Sequence, residues 1–421
     1  MIKVVLKAPL LTQSGYGHHG RTVLRSLMTR QDIFDIYIQP IVWGQTSWMC
    51  EASEERQWID DVIQRTAVYI TQGGTFDMSI QVTIANEWEN LAPINIGVTA
   101  GIETTQVAPE WIERGNMMDK IITISSHSQK TYRDISYQAV HNQTGEKTDF
   151  KLTTPIEYVN YPVNGVEPEK IDLDLKTKFN FLTVAQISPR KNLAQTISCF
   201  VDKFRDNPDV GLVIKTNVAK NSLIDRNTTV SNLRNLLASF GERKCKIYLL
   251  HGRLKDSEMA GLYTHPKIKA IVSTTHGEGF GLPLFEAASH GLPVIATDWS
   301  GHLDFLYMPV KQKNGTEKLK HMFGRITYTL QQIGEDAVWN GVLHKDSKWA
   351  YPEEGSIKTN LEEVYKDYGR FSKRAKQLQK WINKEFTPEK KYKEFIDFIY
   401  EDHFESHSWF DELNEDIEEH E

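Results

Sequence analysis

The chain is poor in cysteine. Cys50, Cys199 and Cys245 are the three in 421 residues, and no paired or metal-ligand spacing relates them, which excludes a disulfide-framed scaffold and a cysteine metal centre. Long apolar runs are missing too, with none near the roughly 18 uninterrupted apolar residues of a membrane span. The opening MIKVVLKAPL is too short and too strand-like for a signal peptide, so a reducing, cytoplasmic setting is expected. His18-His19 has no carboxylate or cysteine cluster beside it to complete a metal site. Internal repeats and low-complexity segments are absent. Residues 401–421 contain no Lys or Arg but ten Asp or Glu.

That acidic end decides how the net charge of -7 is read. Without it, 49 basic side chains face 46 acidic ones, a balance of +3, so the body of the chain is not acidic. The end reads as a solvated tail, or as a competitor for a basic groove. Apolar residues at 40% and charged residues at 25% are globular values, and the length suffices for two domains with separate cores.

Short Val- and Ile-rich runs alternate with helical stretches, the pattern of parallel strands covered on both faces. One series lies at 2–7, 34–42, 78–85, 94–100 and 120–125; a second lies at 179–187, 211–216, 246–252, 269–275 and 293–297. Between them YVNYPVNGVEPEK carries two prolines and an Asn-Gly turn signal, placing a linker near 163–175. The expectation is an α/β protein of two Rossmann-like domains, 1–165 and 176–385, facing across a cleft that takes ligands at the carboxyl ends of the strands. Residues 386–400 are expected to form a helix that packs back on the first domain, ahead of the tail 401–421. IDLDLK within the linker mimics a metal-binding Asp-x-Asp but alternates as a strand or linker edge does.

Gly15-x-Gly17-x-x-Gly20 has the spacing of a dinucleotide fingerprint. Its context is wrong: seven residues, Ala8 to Ser14, separate it from the first strand, and the second strand ends in Ile41-Val42-Trp43 with no carboxylate to hold a ribose. Ser14 instead reads as the cap of a helix with the apolar face Val23, Leu24, Leu27 and Met28. The start of that helix would favour an anion. An ordinary glycine loop before a helix is the alternative.

The most informative stretch is HGEGFGLPLFEAASHGLPVIATDWSGHLDF, residues 276–305. It reads as a Gly-rich loop, Pro283 at a helix start, Gly291 past the helix end and a strand, with Glu278 in the loop and Glu286 in the first helical turn. This stretch resembles the retaining nucleotide-sugar glycosyltransferases of the GT-B type, particularly family 4, whose signature is two glutamates separated by seven residues. The resemblance implies a nucleotide-sugar donor, a UDP-sugar, as co-substrate with no required cofactor or metal. It implies that Glu286 holds the ribose hydroxyls and Glu278 the hydroxyls of the transferred sugar, while Gly279, Phe280, Gly281 and Leu282 line the sugar and diphosphate. Carboxylates accept charge-assisted bonds from hydroxyls, and glycine amides at a helix start bind anions.

By the same resemblance Lys191, in SPRKNL, lies on the leaving diphosphate. The family's arginine position is Gln186 here, leaving Arg190, Lys215 or Arg253 as substitutes. HGRL (251–254) matches the loop that holds the base, and Gly15 and Gly17 match the glycine loop facing the donor phosphates. Glu103 and Thr104 stand where many relatives carry a histidine near the reacting carbon, and His127 falls in the acceptor-side serine segment, with an ordinary capping or surface position as the alternative. TQSGYGHHGR with PIVWGQTSW is similar to glycosyltransferases of tailed bacteriophages, some of which modify hydroxymethylated bases in phage DNA. That likeness implies DNA as acceptor and a host-cytoplasmic location. A base in a duplex would then have to be flipped out, with Trp43, Trp48, Trp88 and Trp111 offering stacking and the nine Lys or Arg from Arg370 to Lys393 offering phosphate contacts. Core packing for the tryptophans and a solvated helix face for the basic run are the alternatives. Two other functions stay open: transfer to a polysaccharide, lipid-linked glycan or protein, and sugar-nucleotide binding without catalysis. A retaining glycosidase with Glu278 and Glu286 as its carboxylate pair is disfavoured by the glycine-rich, basic setting.

Overall fold

The computed structural model describes residues 1–42, 46–140, 147–312 and 315–400. The first domain runs β1 (Ile2–Ala8), α1 (Gly15–Met28), β2 (Phe34–Pro40), α2 (Glu54–Thr71), β3 (Met78–Val82), β4 (Ile94–Val98), α3 (Pro109–Gly115), β5 (Lys120–Thr123) and α4 (Ser126–Asp134). An antiparallel hairpin, β6 (Ser136–Val140) and β7 (Lys147–Lys151), and the short β8 (Ile156–Tyr158) complete it. Its parallel sheet has the order β2-β1-β3-β4-β5-β8.

The second domain runs β9 (Phe179–Val184), α5 (Leu193–Phe204), β10 (Val210–Lys215), α6 (Leu223–Ala238), β11 (Lys246–Leu250), α7 (Asp256–Thr264), β12 (Ile268–Ser273), α8 (Leu282–Ser289), β13 (Val294–Thr297) and α9 (Leu303–Leu306). Then come a hairpin, β14 (Tyr307–Lys311) and β15 (Glu317–His321), the strand β16 (Gly324–Ile326), and a second hairpin, β17 (Tyr328–Gln332) and β18 (Lys348–Pro352). Three helices close the described chain: α10 (Glu354–Lys366), α11 (Tyr368–Glu385) and α12 (Pro388–Ile399). The second parallel sheet has the order β11-β10-β9-β12-β13-β16. Both sheets reverse direction of winding beside their first strand, which is where an open α/β sheet leaves a crevice.

Burial on both faces is visible in β1, where Val4, Val5 and Leu6 are all buried. Several strands stop short of the expected ends: 34–42 ends at Pro40, which has no N–H for the ladder, and 179–187 ends at Val184, where the backbone turns into the cleft. IDLDLK is no strand; residues 159–177 run without regular structure between the sheets. β8 and β16 have three residues each, too few to carry a periodicity, and the hairpins follow no apolar alternation. α12 returns to the first domain, where Phe395, Ile396 and Ile399 join the core of Val23, Leu27 and β1. Among the described residues no helix is long and apolar enough to cross a membrane.

The two domains meet along a seam of glycines. A Cβ on Gly277 would lie 2.2 Å from the Glu103 carbonyl oxygen, and one on Gly279 2.2 Å from that of Ala100. Asp304 of the second domain accepts from Ser126 N (2.8 Å) and Asn160 Nδ2 (3.0 Å) of the first. The glycine loop of α1 is tight in the same sense. Ser14 caps the helix through Gly17 N–H at 3.0 Å, and a Cβ on Gly17 would lie 2.1 Å from the Thr12 carbonyl oxygen. Gly15 meets nothing within 4 Å. Gly17→Ala should therefore destabilise by about 1–3 kcal/mol in denaturant unfolding, as an overpacked site does, whereas Gly15→Ala should stay within about 0.5 kcal/mol of the parent.

Candidate active site

A cavity of about 930 Å³ opens between the carboxyl ends of the two sheets. Gly15 and His18 of α1 and Glu103 of the loop after β4 form one wall. Facing them are Arg190 and Lys191 on a single turn after β9, Lys215 at the end of β10, Arg253 after β11, and the stretch from Glu278 to Pro283. The stretch is shaped by its glycines and proline: Gly281 caps α8 at φ +89°, Pro283 lies in the first turn, and Gly291 at φ +76° ends the helix. Glu286, the fifth residue of α8, therefore begins the second turn and not the first.

Glu278 is the centre of a charge cluster. Lys191 Nζ lies 2.6 and 2.8 Å from its two carboxylate oxygens, and Arg190 Nη1 lies 3.1 Å from Oε2. Arg190 reaches on to Glu103 Oε1 at 3.3 Å, so one guanidinium bridges carboxylates of both domains. The Glu278 backbone is fixed as well: its N–H donates to Ser300 Oγ at 2.8 Å and its carbonyl accepts from Gly301 N at 2.9 Å. Burial by itself would raise the carboxyl pKa, but Lys191 and Arg190 outweigh it and hold Glu278 at about 2. Burial lowers the Lys191 ammonium, partly offset by Glu278.

Glu286 has the opposite environment. Burial pushes its carboxyl up to about 7, against the hydrogen bond from Tyr263 Oη at 2.9 Å. It lines a narrow recess beside the main cavity, and His18 and Leu282 line both spaces. Two glutamates in separate spaces, one of them clamped by two cations, are not the paired carboxylates of a glycosidase.

Gly279, Phe280, Gly281 and Leu282 line the main cavity. Lys215 Nζ is spent on the Gly252 carbonyl at 2.6 Å, and Arg253 pairs with Glu51 across the cleft at 3.3 Å. Gln186 lines the cavity too, its amide donating to Val218 O at 2.8 Å. Five expectations are corrected or displaced. Gly17 is packed on Thr12 and lies outside the cavity lining, so its lack of a side chain serves the loop. His127 is in the domain seam, its ring edge-on to Trp299 at 4.9 Å, and burial lowers its pKa to about 4. Trp48 is 40% exposed and bridges Thr12, while its neighbour Met49 faces the cavity. Trp88 and Trp111 are core residues, and Arg370, Lys384, Lys390, Lys391 and Lys393 of the basic run are engaged in ion pairs. Trp43 and the acidic tail 401–421 lie outside the described residues.

Sequence reading missed the partners. Tyr263 on Glu286 had no motif to mark it. Arg21 lines the cavity from α1 with Nη1 on the Leu10 and Thr12 carbonyls. Asp225 gathers the amides of Val218, Ala219 and Lys220 together with His251, shaping the loop that carries Asn217 into the cavity.

Residues 167–312 match the model of the Glycosyl transferases group 1, and residues 247–395 match that of Family 4 Glycosyltransferase in conflict systems. Serotype-specific mannosyltransferase WbdA of Escherichia coli is 34% identical over 119 residues, 28% of this chain and 13% of that protein. The chain thus matches only about an eighth of the length of these curated relatives. Among solved structures, Anabaena Alr3699/HepE in complex with UDP-glucose covers 95% of this chain and 99% of its own, at 12% identity and TM-score 0.60. Sucrose-phosphate synthase (tll1590) from Thermosynechococcus elongatus covers 95% and 98%, at 11% identity and TM-score 0.58. The fold is GT-B, two Rossmann-like domains across a cleft. Within its second domain, residues 167–312 are similar in sequence to the group 1 glycosyltransferases.

Lys191→Met should lower the unfolding free energy by about 3 kcal/mol, because it leaves a buried carboxylate with less than its full charge partner. Adding Glu278→Gln should recover most of that loss. A double variant as unstable as Lys191→Met alone would refute the pairing.

Proposed function

We propose that the protein is a retaining glycosyltransferase that moves a sugar from a UDP-sugar to an acceptor hydroxyl without a required metal. The observation that carries this reading is Glu278 held between Lys191 and Arg190 at the entrance to α8. A diphosphate at that entrance competes with Glu278 for the two cations and meets backbone amides at the helix start, where negative charge develops as UDP leaves. Glu278, released from them, accepts from the sugar hydroxyls, and Glu286 accepts from the ribose. In the transfer, the bond from the anomeric carbon to the β-phosphate oxygen breaks and the acceptor oxygen bonds on the same face. The acceptor's proton passes to a donor phosphate oxygen, and Glu103, tied to Arg190, flanks the acceptor side.

We infer further that the acceptor is a hydroxymethylated base in DNA. Support comes from the phage-like N-terminal segment, the match to a family 4 model described from conflict systems, and Lys373, Lys376 and Lys380, exposed on one face of α11. Similarity to a mannosyltransferase over 119 residues favours a glycan acceptor as the second reading. A screen of UDP-, GDP- and ADP-sugars against hydroxymethylated DNA, plain DNA and oligosaccharides, read by product mass, decides between them. Transfer to hydroxymethylated DNA alone is expected, with DNA affinity falling steeply as salt rises while UDP affinity stays nearly flat. Transfer confined to oligosaccharides overturns the DNA reading.

Glu286→Ala should lower calorimetric UDP affinity by about 2–3 kcal/mol, since two ribose hydroxyls lose a charged acceptor. Ribose hydroxyls favour the ionised carboxylate, so binding below pH 7 must expel the proton that burial retains on Glu286. UDP affinity should therefore climb between about pH 6 and 8, level off above, and lose this slope in Glu286→Gln. A pH-independent affinity in the parent would remove Glu286 from the ribose site.

A further inference from the structure

The hairpin of β17 and β18 leaves the second sheet and reaches the first domain. Between its strands, Val342 is buried in the core of Ile84, Trp88 and Trp111, and Trp111 Nε1 donates to the Gly341 carbonyl at 2.9 Å. β18 then crosses the seam. Lys348 N donates to Thr105 Oγ1 at 2.9 Å and its carbonyl accepts from Thr105 N at 2.8 Å. Two residues on, Ala350 N donates to the His276 carbonyl at 3.0 Å and the Ala350 carbonyl accepts from His276 Nδ1 at 2.6 Å. Trp349, 2% exposed, stacks on the His276 ring with centroids 4.9 Å apart and planes at 12°. His276 N in turn donates to the Arg190 carbonyl at 2.9 Å.

Residues two apart in a strand turn their backbone groups to the same edge, about 7 Å apart. Thr105 lies two residues after Glu103, and His276 two residues before Glu278. One strand edge thus grips the two loops whose carboxylates flank Arg190. We propose that β18 is a positioning strap for the reaction, fixing the loop of Glu103 and the loop of Glu278 at one separation across the domain seam. Its consequence for turnover rests on the glycosyltransferase reading; the mechanical coupling does not.

The test is hydrogen exchange by mass spectrometry on the full chain. Trp349→Ala removes the ring stacked on His276, and Thr105→Val removes the hydroxyl that accepts from Lys348 N. Each should accelerate exchange about tenfold or more in both segments, 99–106 and 274–281, while β10 and β11 keep their protection. Trp349→Phe, which keeps a stacked ring, should restore most of it. UDP release from a UDP-glucose probe should fall about tenfold or more per folded molecule in Trp349→Ala, because misplacing a reacting group by an ångström is that damaging, while UDP affinity stays within about threefold. Exchange that quickens only in the segment each variant touches, or in neither, overturns the strap. So does a lower melting temperature with unchanged turnover per folded molecule, the mark of a merely structural tryptophan. If the parent releases no UDP from any sugar nucleotide, the glycosyltransferase reading fails, and the exchange result alone decides the strap.

Discussion

A buried carboxylate between two cations organises this molecule. Glu278 cannot stay ionised in the interior without Lys191 and Arg190, and neither cation is comfortable there without an anion. Bringing the three together requires the turn after β9, the loop after β12 and, through the Arg190 bond to Glu103, the loop after β4 of the other domain. The seam glycines let backbone approach backbone closely enough for that. Ser300 is held at φ +81°, a costly conformation for a residue with a Cβ, and its hydroxyl accepts the Glu278 N–H. Strain at this position is the signature of a loop whose geometry is specified by more than its own stability.

The cluster is also poised to change partners. A diphosphate carries the charge that Glu278 supplies in its place, so a donor would find the cations already desolvated and oriented, with little reorganisation left to make. Glu286 is tuned the other way, its carboxyl raised to about 7 by burial, so that under the proposed role ribose binding would be linked to proton release. Two glutamates of one motif thus have their pKa values pushed apart by environment, one down by two cations and one up by burial with no cation to offset it.

The parts of this arrangement that are local in sequence were legible. The Val- and Ile-rich runs gave both sheets, Ser14 and Pro283 marked helix starts, and residues 278–286 with Lys191 defined the charged end of the cleft. What was not legible depends on tertiary approach. Gly17 looked like a phosphate-facing glycine because spacing does not reveal that Thr12 folds back on it. His127 looked exposed to an acceptor because nothing local announces Trp299 across the seam. β18 carries no motif, and its contacts to Thr105 and His276 span 243 and 74 residues of chain. Tyr263 became a partner of Glu286 only when α7 packed beside α8.

The claim on which the account turns is that a donor diphosphate displaces Glu278 from its cations. A crystal structure with an intact UDP-sugar measures this directly. The account predicts Lys191 Nζ within hydrogen-bonding distance of a phosphate oxygen, about 2.7–2.9 Å, with Glu278 turned to the sugar hydroxyls and Glu286 on the ribose. A complex in which Glu278 remains bound to both Lys191 and Arg190, with the diphosphate elsewhere, would contradict it.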